Sequence, residues 1–237
     1  MRDNGVFSKN FRRKLNKQRA IELAGAVGKY ASALEGLGLN VAKTQVELES
    51  AGNGRYSLKM SQEPFERHQL AADILRNKPD KDALIVYEKI LSQAVNAIKA
   101  NSLPGSCRQN VGLDLHIGNW AVKNGEPVFL DVFPPLSSGS EAKSVEKTYP
   151  LKVKLFESLL PKHARERHYY GPTVLSTLLG ISIEANPKLK AGLIKATVEQ
   201  IEKEFSNDVR RLYLREISGI KLSVIRGASK LTRLMAR

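Results

Sequence analysis

The stretch GLDLHIGNWAVKNGEPVFLDVFPP, residues 112–135, places three polar side chains among residues that are typical of buried strands. The three are Asp114, Asn119 and Asp131, and their neighbours are mostly Leu, Ile, Trp, Val and Phe. An unpaired carboxylate in apolar surroundings either costs several kcal/mol or shifts its pKa. We therefore expect these groups either to pair with something basic or to hold a metal ion.

A turn inside this stretch determines which of the polar groups meet. Residues 123–126 read Lys-Asn-Gly-Glu, and Asn-Gly is a strong signal for a tight hairpin turn. Such a hairpin returns Asp131 to the side of Asn119, where an amide oxygen and a carboxylate would suit Mg²⁺ carrying phosphate oxygens. Asp114 would then orient a substrate hydroxyl and accept its proton. Any one of these residues alone is more typical of a turn or a cap, and the convergence of three favours a site.

The order of residue types in the stretch resembles that of a known superfamily. Residues 114–119 read Asp-Leu-His-Ile-Gly-Asn, and Asp131 begins the segment Asp-Val-Phe-Pro-Pro. This resembles the catalytic loop and metal-binding segment of the aminoglycoside phosphotransferase and protein-kinase-like superfamily. The resemblance implies Asp114 as the catalytic aspartate, Asn119 and Asp131 as metal ligands, and ATP and Mg²⁺ as cofactors. It also implies an α+β, two-lobed protein-kinase-like fold with a small α/β N-lobe and a mostly helical C-lobe.

The chain departs from that superfamily at several positions. Gly112 stands where members usually have a histidine, and Pro134 and Pro135 follow Asp131 where a glycine is usual. The sequence before residue 15 has room for the lysine-bearing strand but not for the glycine-rich hairpin that precedes it in members. We therefore expect a shortened N-lobe, and a catalytically degenerate kinase-fold scaffold protein remains an alternative to an enzyme.

The resemblance also implies residues for nucleotide binding. Lys9, in VFSKNF, would be the phosphate-binding lysine, although it is equally one more member of a basic cluster. Glu22, on the helix that follows, would be its glutamate partner. Residues 59–63 would form the hinge that meets adenine through backbone groups, which brings Met60 and Gln62 into the site.

Periodicity predicts the elements around the stretch. Residues 5–11 alternate like a short strand, residues 15–37 follow a helical period, and two strands flank the turn at 51–54. Helices are predicted over 66–77 and 81–101, the second with Asp80 as its N-cap. The expected division is a truncated kinase-like N-lobe over 1–63 and a helical C-lobe over 64–237, which carries the catalytic loop and the hairpin.

The charge balance bears on the partner. The 237 residues carry a formal net charge of +14, concentrated at the two ends of the chain. The basic residues of the last segment are Arg210, Arg211, Arg215, Lys221, Arg226, Lys230, Arg233 and Arg237. Such a balance attracts polyanions, although a solvated basic face is an equal alternative. Residues 209–237 are predicted to form a helical segment that docks on the C-lobe and presents these charges.

The expected function follows from the resemblance and the charge together. It is an ATP- and Mg²⁺-dependent phosphotransferase that acts on a hydroxyl of a small acceptor, with an anionic acceptor favoured over a cationic aminoglycoside. A phosphorylated or polyanionic partner would bind the basic termini, and a nucleic-acid-binding protein that uses those termini is a further alternative. The single Cys107 excludes an internal disulfide, and apolar runs are too short for a membrane span. The expected compartment is the cytoplasm.

Overall fold

The computed structural model describes residues 2–3, 6–103, 109–132 and 167–219, with side chains over 14–103, 109–132 and 168–219. These residues form an α+β protein with two small antiparallel sheets and a larger helical part. The α+β class predicted from the sequence is therefore confirmed. The predictions for Cys107, for the two prolines after Asp131 and for the tail beyond residue 219 lie outside the described residues.

The first sheet contains four strands. They are β1 (Arg2–Asp3), β2 (Val6–Asn16), β3 (Thr44–Ser50) and β4 (Arg55–Gln62). Their spatial order is β1-β2-β4-β3, so β4 is paired on both sides. The predicted hairpin is β3–β4, and its turn carries Asn53 and Gly54 in the left-handed region, at φ 51° and 66°. β2 runs five residues beyond the predicted end at residue 11, because it continues to pair with β4 as far as Asn16.

Helix α1 (Lys17–Gly36) lies on one face of this sheet. The Asn16 side chain caps it by accepting a hydrogen bond of 2.9 Å from the Arg19 backbone N–H. Its buried residues contribute to two clusters. Leu23 packs with Leu58 of β4, whereas Tyr30 packs into the larger core of the helical part. The predicted helix over 15–37 is therefore confirmed, and it lies between the two cores.

The helical part contains five further helices. They are α2 (Ala71–Asn77), α3 (Asp80–Asn101), α4 (Gly171–Ala185), α5 (Lys190–Glu204) and α6 (Asn207–Ser218). The helix predicted over 66–77 is divided into a 3₁₀ turn, Arg67–Gln69, and α2. Asp80 is the first residue of α3, after Pro79, and not its N-cap. No helix in the described ranges is long and apolar enough to cross a membrane.

The second sheet is the hairpin predicted from Asn124-Gly125. It consists of β5 (Trp120–Lys123) and β6 (Glu126–Phe129), and the two turn residues have φ values of 54° and 79°. These values are those of the tight turn that suits twisted antiparallel strands. Trp120 is fully buried and packs edge-on against Phe129, with ring centroids 5.2 Å apart. The expectation that Trp120 packs behind the hairpin is confirmed.

The segment after α1 connects the first sheet to this hairpin. Val41 forms a parallel bridge with Phe129 of β6. The Ala42 N–H donates to the Phe129 carbonyl at 2.8 Å, and the Phe129 N–H donates to the Asn40 carbonyl at 2.7 Å. The end of β6, where the chain proceeds to Asp131, is therefore fixed to the segment between α1 and β3.

Candidate functional site

Asp114 projects out of the core from an extended segment. Leu113 and Leu115, on either side of it, are both 1% exposed. Alternate residues of an extended chain point to opposite sides, so burial of the two leucines turns Asp114 the other way. Its side chain is 32% exposed, which leaves the carboxylate within reach of a ligand.

Asn119 is oriented by the same segment. It ends a 3₁₀ turn, Ile117–Asn119, in which the His116 Nδ1 accepts a hydrogen bond of 3.1 Å from the Gly118 N–H. The Asn119 Nδ2 then donates to the backbone oxygen of Asp114 at 2.8 Å. This hydrogen bond uses the nitrogen of the amide and leaves its oxygen, the atom that a metal ion would require, directed elsewhere.

Asp131 follows β6 at the mouth of the hairpin. The Leu130 N–H donates to the Asn119 carbonyl at 2.8 Å, so Asp131 emerges next to Asn119. Val132 on its other side is 2% exposed, which fixes the backbone on both sides of Asp131. The turn signal predicted that the hairpin brings Asp131 back to Asn119, and the structure has this arrangement.

Tyr30 of α1 is a buried phenol that senses the charges of both aspartates. It is 2% exposed, and its hydroxyl donates to the Gly112 carbonyl at 2.8 Å. Burial raises the pKa of the Tyr30 phenol well above its usual value, and the charges of Asp114 and Asp131 raise it further. The charges of both carboxylates therefore act on one phenol, and the sequence contained no signal for this residue.

His168 contacts the Asp114 segment from the far side of the sequence. Its carbonyl accepts a hydrogen bond of 2.7 Å from the Leu113 N–H, and its Nδ1 lies 3.3 Å from the Leu113 carbonyl. The same Nδ1 lies 3.9 Å from Oδ1 of Asp114. Sequence reasoning missed this residue because no local pattern relates it to a loop more than fifty positions earlier.

Of the two predicted hinge residues, Met60 is enclosed in the sheet, whereas Gln62 contacts the segment that carries Asp131. Met60 is 4% exposed in β4, opposite Lys9 of β2 and Val46 of β3, so its backbone faces neighbouring strands. The physical reason is that β4 is an inner strand, paired with β2 on one side and β3 on the other, so the backbone that is clear of the sheet begins only after Gln62. The Gln62 Nε2 donates to the Leu130 carbonyl at 2.7 Å and to the Thr44 hydroxyl at 2.8 Å. Gln62 thus contacts the residue that precedes Asp131.

The predicted Lys9–Glu22 pair stays a prediction. Lys9 lies within β2, but its side chain lies outside the described residues. Glu22 is on the exposed side of α1, where its Oε1 accepts a hydrogen bond of 3.1 Å from the Gln18 Nε2.

The described residues do not contain a group of three or more His, Cys, Asp or Glu side chains that could hold a metal ion. An amide oxygen from Asn119 and a carboxylate from Asp131 supply two hard ligands, and Mg²⁺ usually takes its other ligands from water and phosphate.

A family model described as "Family of unknown function (DUF6206)" matches residues 4–212, which include every part of the site above. No curated protein matches the chain.

Proposed function

The chain belongs to the DUF6206 family, and from that premise we propose that it is an ATP- and Mg²⁺-dependent kinase-like phosphotransferase. It would transfer a phosphoryl group to a hydroxyl of a small acceptor in the cytoplasm. One observation carries the proposal: Asn119 donates to the backbone carbonyl of Asp114 and accepts from the Leu130 N–H, which directly precedes Asp131.

The order of elements supports the same proposal. A strand (β2), a helix (α1) and two further strands precede the helical part, the Asp114 segment and the hairpin. In protein kinases the phosphate-binding lysine lies on a strand, and its glutamate partner lies on a helix. β2 and α1 are the elements that would carry this pair, as Lys9 and Glu22.

Asp114 would act as the proton acceptor. As the bond between the acceptor oxygen and phosphorus forms, the bond to the leaving diphosphate oxygen breaks, and the hydroxyl proton passes to the Asp114 carboxylate. The His168 Nδ1 lies 3.9 Å from Oδ1 of Asp114, which is beyond hydrogen-bond distance, and the Asp114 side chain is 32% exposed. The carboxylate is therefore able to receive a hydroxyl.

Asn119 and Asp131 would hold Mg²⁺ through the amide oxygen and the carboxylate. The donor set fits the ion, because both ligands are hard oxygens and the Asn119 nitrogen is already engaged with Asp114. The bound ion would neutralise charge on the phosphate oxygens. The hydrogen bond from the Leu130 N–H to the Asn119 carbonyl would keep the two ligands in neighbouring segments.

The adenine would meet backbone groups of residues 63–66, which follow the last pair of β4. This shifts the hinge by a few residues from the prediction, because Met60 is enclosed by both neighbouring strands. For the acceptor, the net charge of +14 favours an anionic molecule over a cationic one.

The test uses two variants that separate binding from chemistry. Asp131→Ala should abolish binding of Mg²⁺-ATP measured by calorimetry, while the circular dichroism spectrum stays that of the unmodified protein. Asp114→Asn should keep nucleotide affinity and lower Mg²⁺-dependent ATP hydrolysis by roughly 100-fold.

The outcomes distinguish the proposed function from its alternatives. Nucleotide binding that is unchanged in Asp131→Ala would remove the metal role. Nucleotide binding without hydrolysis in the unmodified protein would favour the scaffold alternative. Gly112, which stands in place of the usual histidine, fits that alternative as well.

A further inference from the structure

The loop that carries Asp114 is held by side chains that lie outside it. We propose that Tyr30 and His168 are positioning residues that clamp residues 112–114 from two sides and so fix the direction of the Asp114 carboxylate. The proposal rests on the proposed function. Its starting point is Gly112, which has no side chain with which to hold the loop where a histidine would be expected.

Tyr30 holds the first residue of the loop. Gly112 is buried, and a buried carbonyl requires a hydrogen-bond donor. The Tyr30 hydroxyl supplies that donor at 2.8 Å from a distance of 82 residues in sequence. A phenol is protonated at physiological pH, so this donor is present under the conditions of the assay.

His168 holds the second residue of the loop and faces the third. Its backbone carbonyl and its ring both contact Leu113, at 2.7 Å and 3.3 Å. The ring then lies beside Asp114, with Nδ1 at 3.9 Å from the carboxylate. Rotation of the Asp114 backbone would have to break contacts on the Tyr30 side or on the His168 side. A carboxylate fixed in this way loses little freedom when the acceptor binds.

The structure offers a matched control for Tyr30. Tyr87 of α3 is also fully buried, and its hydroxyl also makes one hydrogen bond of 2.8 Å, with Thr197 of α5. Tyr30→Phe and Tyr87→Phe therefore remove the same atom from equally buried positions. Only the first position contacts the Asp114 loop.

We expect Tyr30→Phe to lower kcat for Mg²⁺-ATP hydrolysis by about tenfold and to leave KM for ATP within about twofold. Tyr87→Phe should leave kcat within about twofold, even if it lowers the melting temperature as much as Tyr30→Phe does. Equal loss of kcat in both variants, or none in Tyr30→Phe, would overturn the role of Tyr30.

The His168 side of the clamp has its own pair of variants. His168→Ala should lower kcat by about tenfold, and His168→Asn, whose amide nitrogen can donate to the Leu113 carbonyl, should recover part of the loss. His68→Ala is the control, because His68 is exposed and pairs only with Glu66 among the contacts described for it. If kcat of His168→Asn is no higher than kcat of His168→Ala, the His168 ring does not act through its contact with the Leu113 carbonyl.

A readout without activity separates this proposal from the proposed function. Amide hydrogen exchange over residues 112–119 should accelerate in Tyr30→Phe and His168→Ala, but not in Tyr87→Phe. If the unmodified protein binds no Mg²⁺-ATP, the proposed function fails, and the exchange rates still decide whether the loop is clamped. Unchanged exchange in both clamp variants would overturn the clamp whatever the activity.

Discussion

At the scale of single residues, Gln62 joins the end of β4 to the segment that carries Asp131. Its side-chain amide bonds the Leu130 carbonyl and the Thr44 hydroxyl, and Thr44 in turn bonds the Ala42 carbonyl. We expect Gln62→Ala to weaken Mg²⁺-nucleotide binding by about tenfold, since the Asp131 backbone loses one of its fixed points.

Calorimetric titration with Mg²⁺-ATP is the measurement for Gln62→Ala. Gln45→Ala is the matched control, because Gln45 is an exposed glutamine on the neighbouring strand β3. Affinity that falls equally in both variants would indicate damage to the sheet and not to the site.

Tyr87 predicts how stability depends on pH. Burial raises the pKa of the Tyr87 phenol above its usual value, with the hydrogen bond to Thr197 acting in the opposite direction. The stability that depends on this group is present below the unfolded pKa and is lost as pH rises toward the folded one, because only the unfolded state ionises.

Between about pH 9 and about pH 11, the free energy of unfolding should fall about 1.4 kcal/mol more in the unmodified protein than in Tyr87→Phe. Urea unfolding at the two pH values measures the difference. Parallel pH profiles for the two proteins would show that the phenol titrates normally in the folded state.

The residues of the site differ in how far the sequence reveals them. Asp114, Asn119 and Asp131 were predictable as neighbours, because one short turn folds their segment and a turn has a local signal. Tyr30 and His168 were not predictable as neighbours of Asp114. Tyr30 is 82 residues from its partner Gly112 in sequence, and His168 is 55 residues from its partner Leu113. The three polar groups of one segment therefore have a local sequence signal, and their distant contacts have none.

At the scale of elements, Gly171 fixes how α4 begins. A Cβ at this position would lie 2.2 Å from the Tyr213 hydroxyl of α6 and 3.0 Å from the Ile98 side chain of α3. Tyr213 cannot move aside easily, since it is 1% exposed and stacks on Phe205 with ring centroids 4.3 Å apart. We expect Gly171→Ala to lower the free energy of unfolding by about 1–3 kcal/mol.

The same substitution in α1 should have the opposite effect. A Cβ at Gly28 would meet open space, so Gly28→Ala should raise the free energy of unfolding by about 0.5–1 kcal/mol through better helix propensity. Denaturant unfolding of the two variants gives both signs in one experiment. A stable Gly171→Ala protein would mean that α6 can shift away from α4.

The elements that the sequence predicts best are those with a local cause. α1 has its helical period, and both hairpins have glycine at a left-handed position. β2 was predicted too short, because residues 12–16 are mostly basic or polar and owe their extended form to pairing with β4. The helix predicted over 66–77 was wrong in its continuity, since the chain becomes extended at Leu70, where a bridge to Ala121 forms.

At the scale of the whole molecule, the net charge of +14 fits either an anionic partner or a solvated basic face. The last described helix, α6, docks through Tyr213 and Ile217, as an apolar stripe in a basic segment predicts. Arg210 is not a surface charge alone, because its Nη2 donates to the carbonyls of Glu202 and Phe205 at the end of α5. The Arg210 guanidinium is therefore held at the end of α5, although it keeps its charge.

Deletion of residues 226–237 should reduce the salt dependence of binding to heparin while Mg²⁺-ATP binding persists, since exposed charges act mainly through counterions. Heparin chromatography and calorimetry over a salt series measure the two effects. An unchanged salt slope would mean that these charges are only a solvated surface.

The architecture of the whole chain was harder to predict than its class. The sequence indicates one sheet-bearing part and one helical part, but not that α1 contributes to the cores of both. It also does not indicate the pairing of Val41 with Phe129. Such contacts depend on packing over the complete chain and have no signature in a short window.

That parallel bridge has a consequence for the order in which the molecule folds. It joins segments separated by nearly ninety positions, and pairings so distant in the chain form slowly because a long loop must close first. The only tryptophan, Trp120, lies fully buried in the hairpin concerned, and its indole donates to the Leu115 carbonyl at 3.0 Å. Its fluorescence during refolding therefore reports when the hairpin and the Asp114 segment assemble, and it should recover after the helical ellipticity has returned.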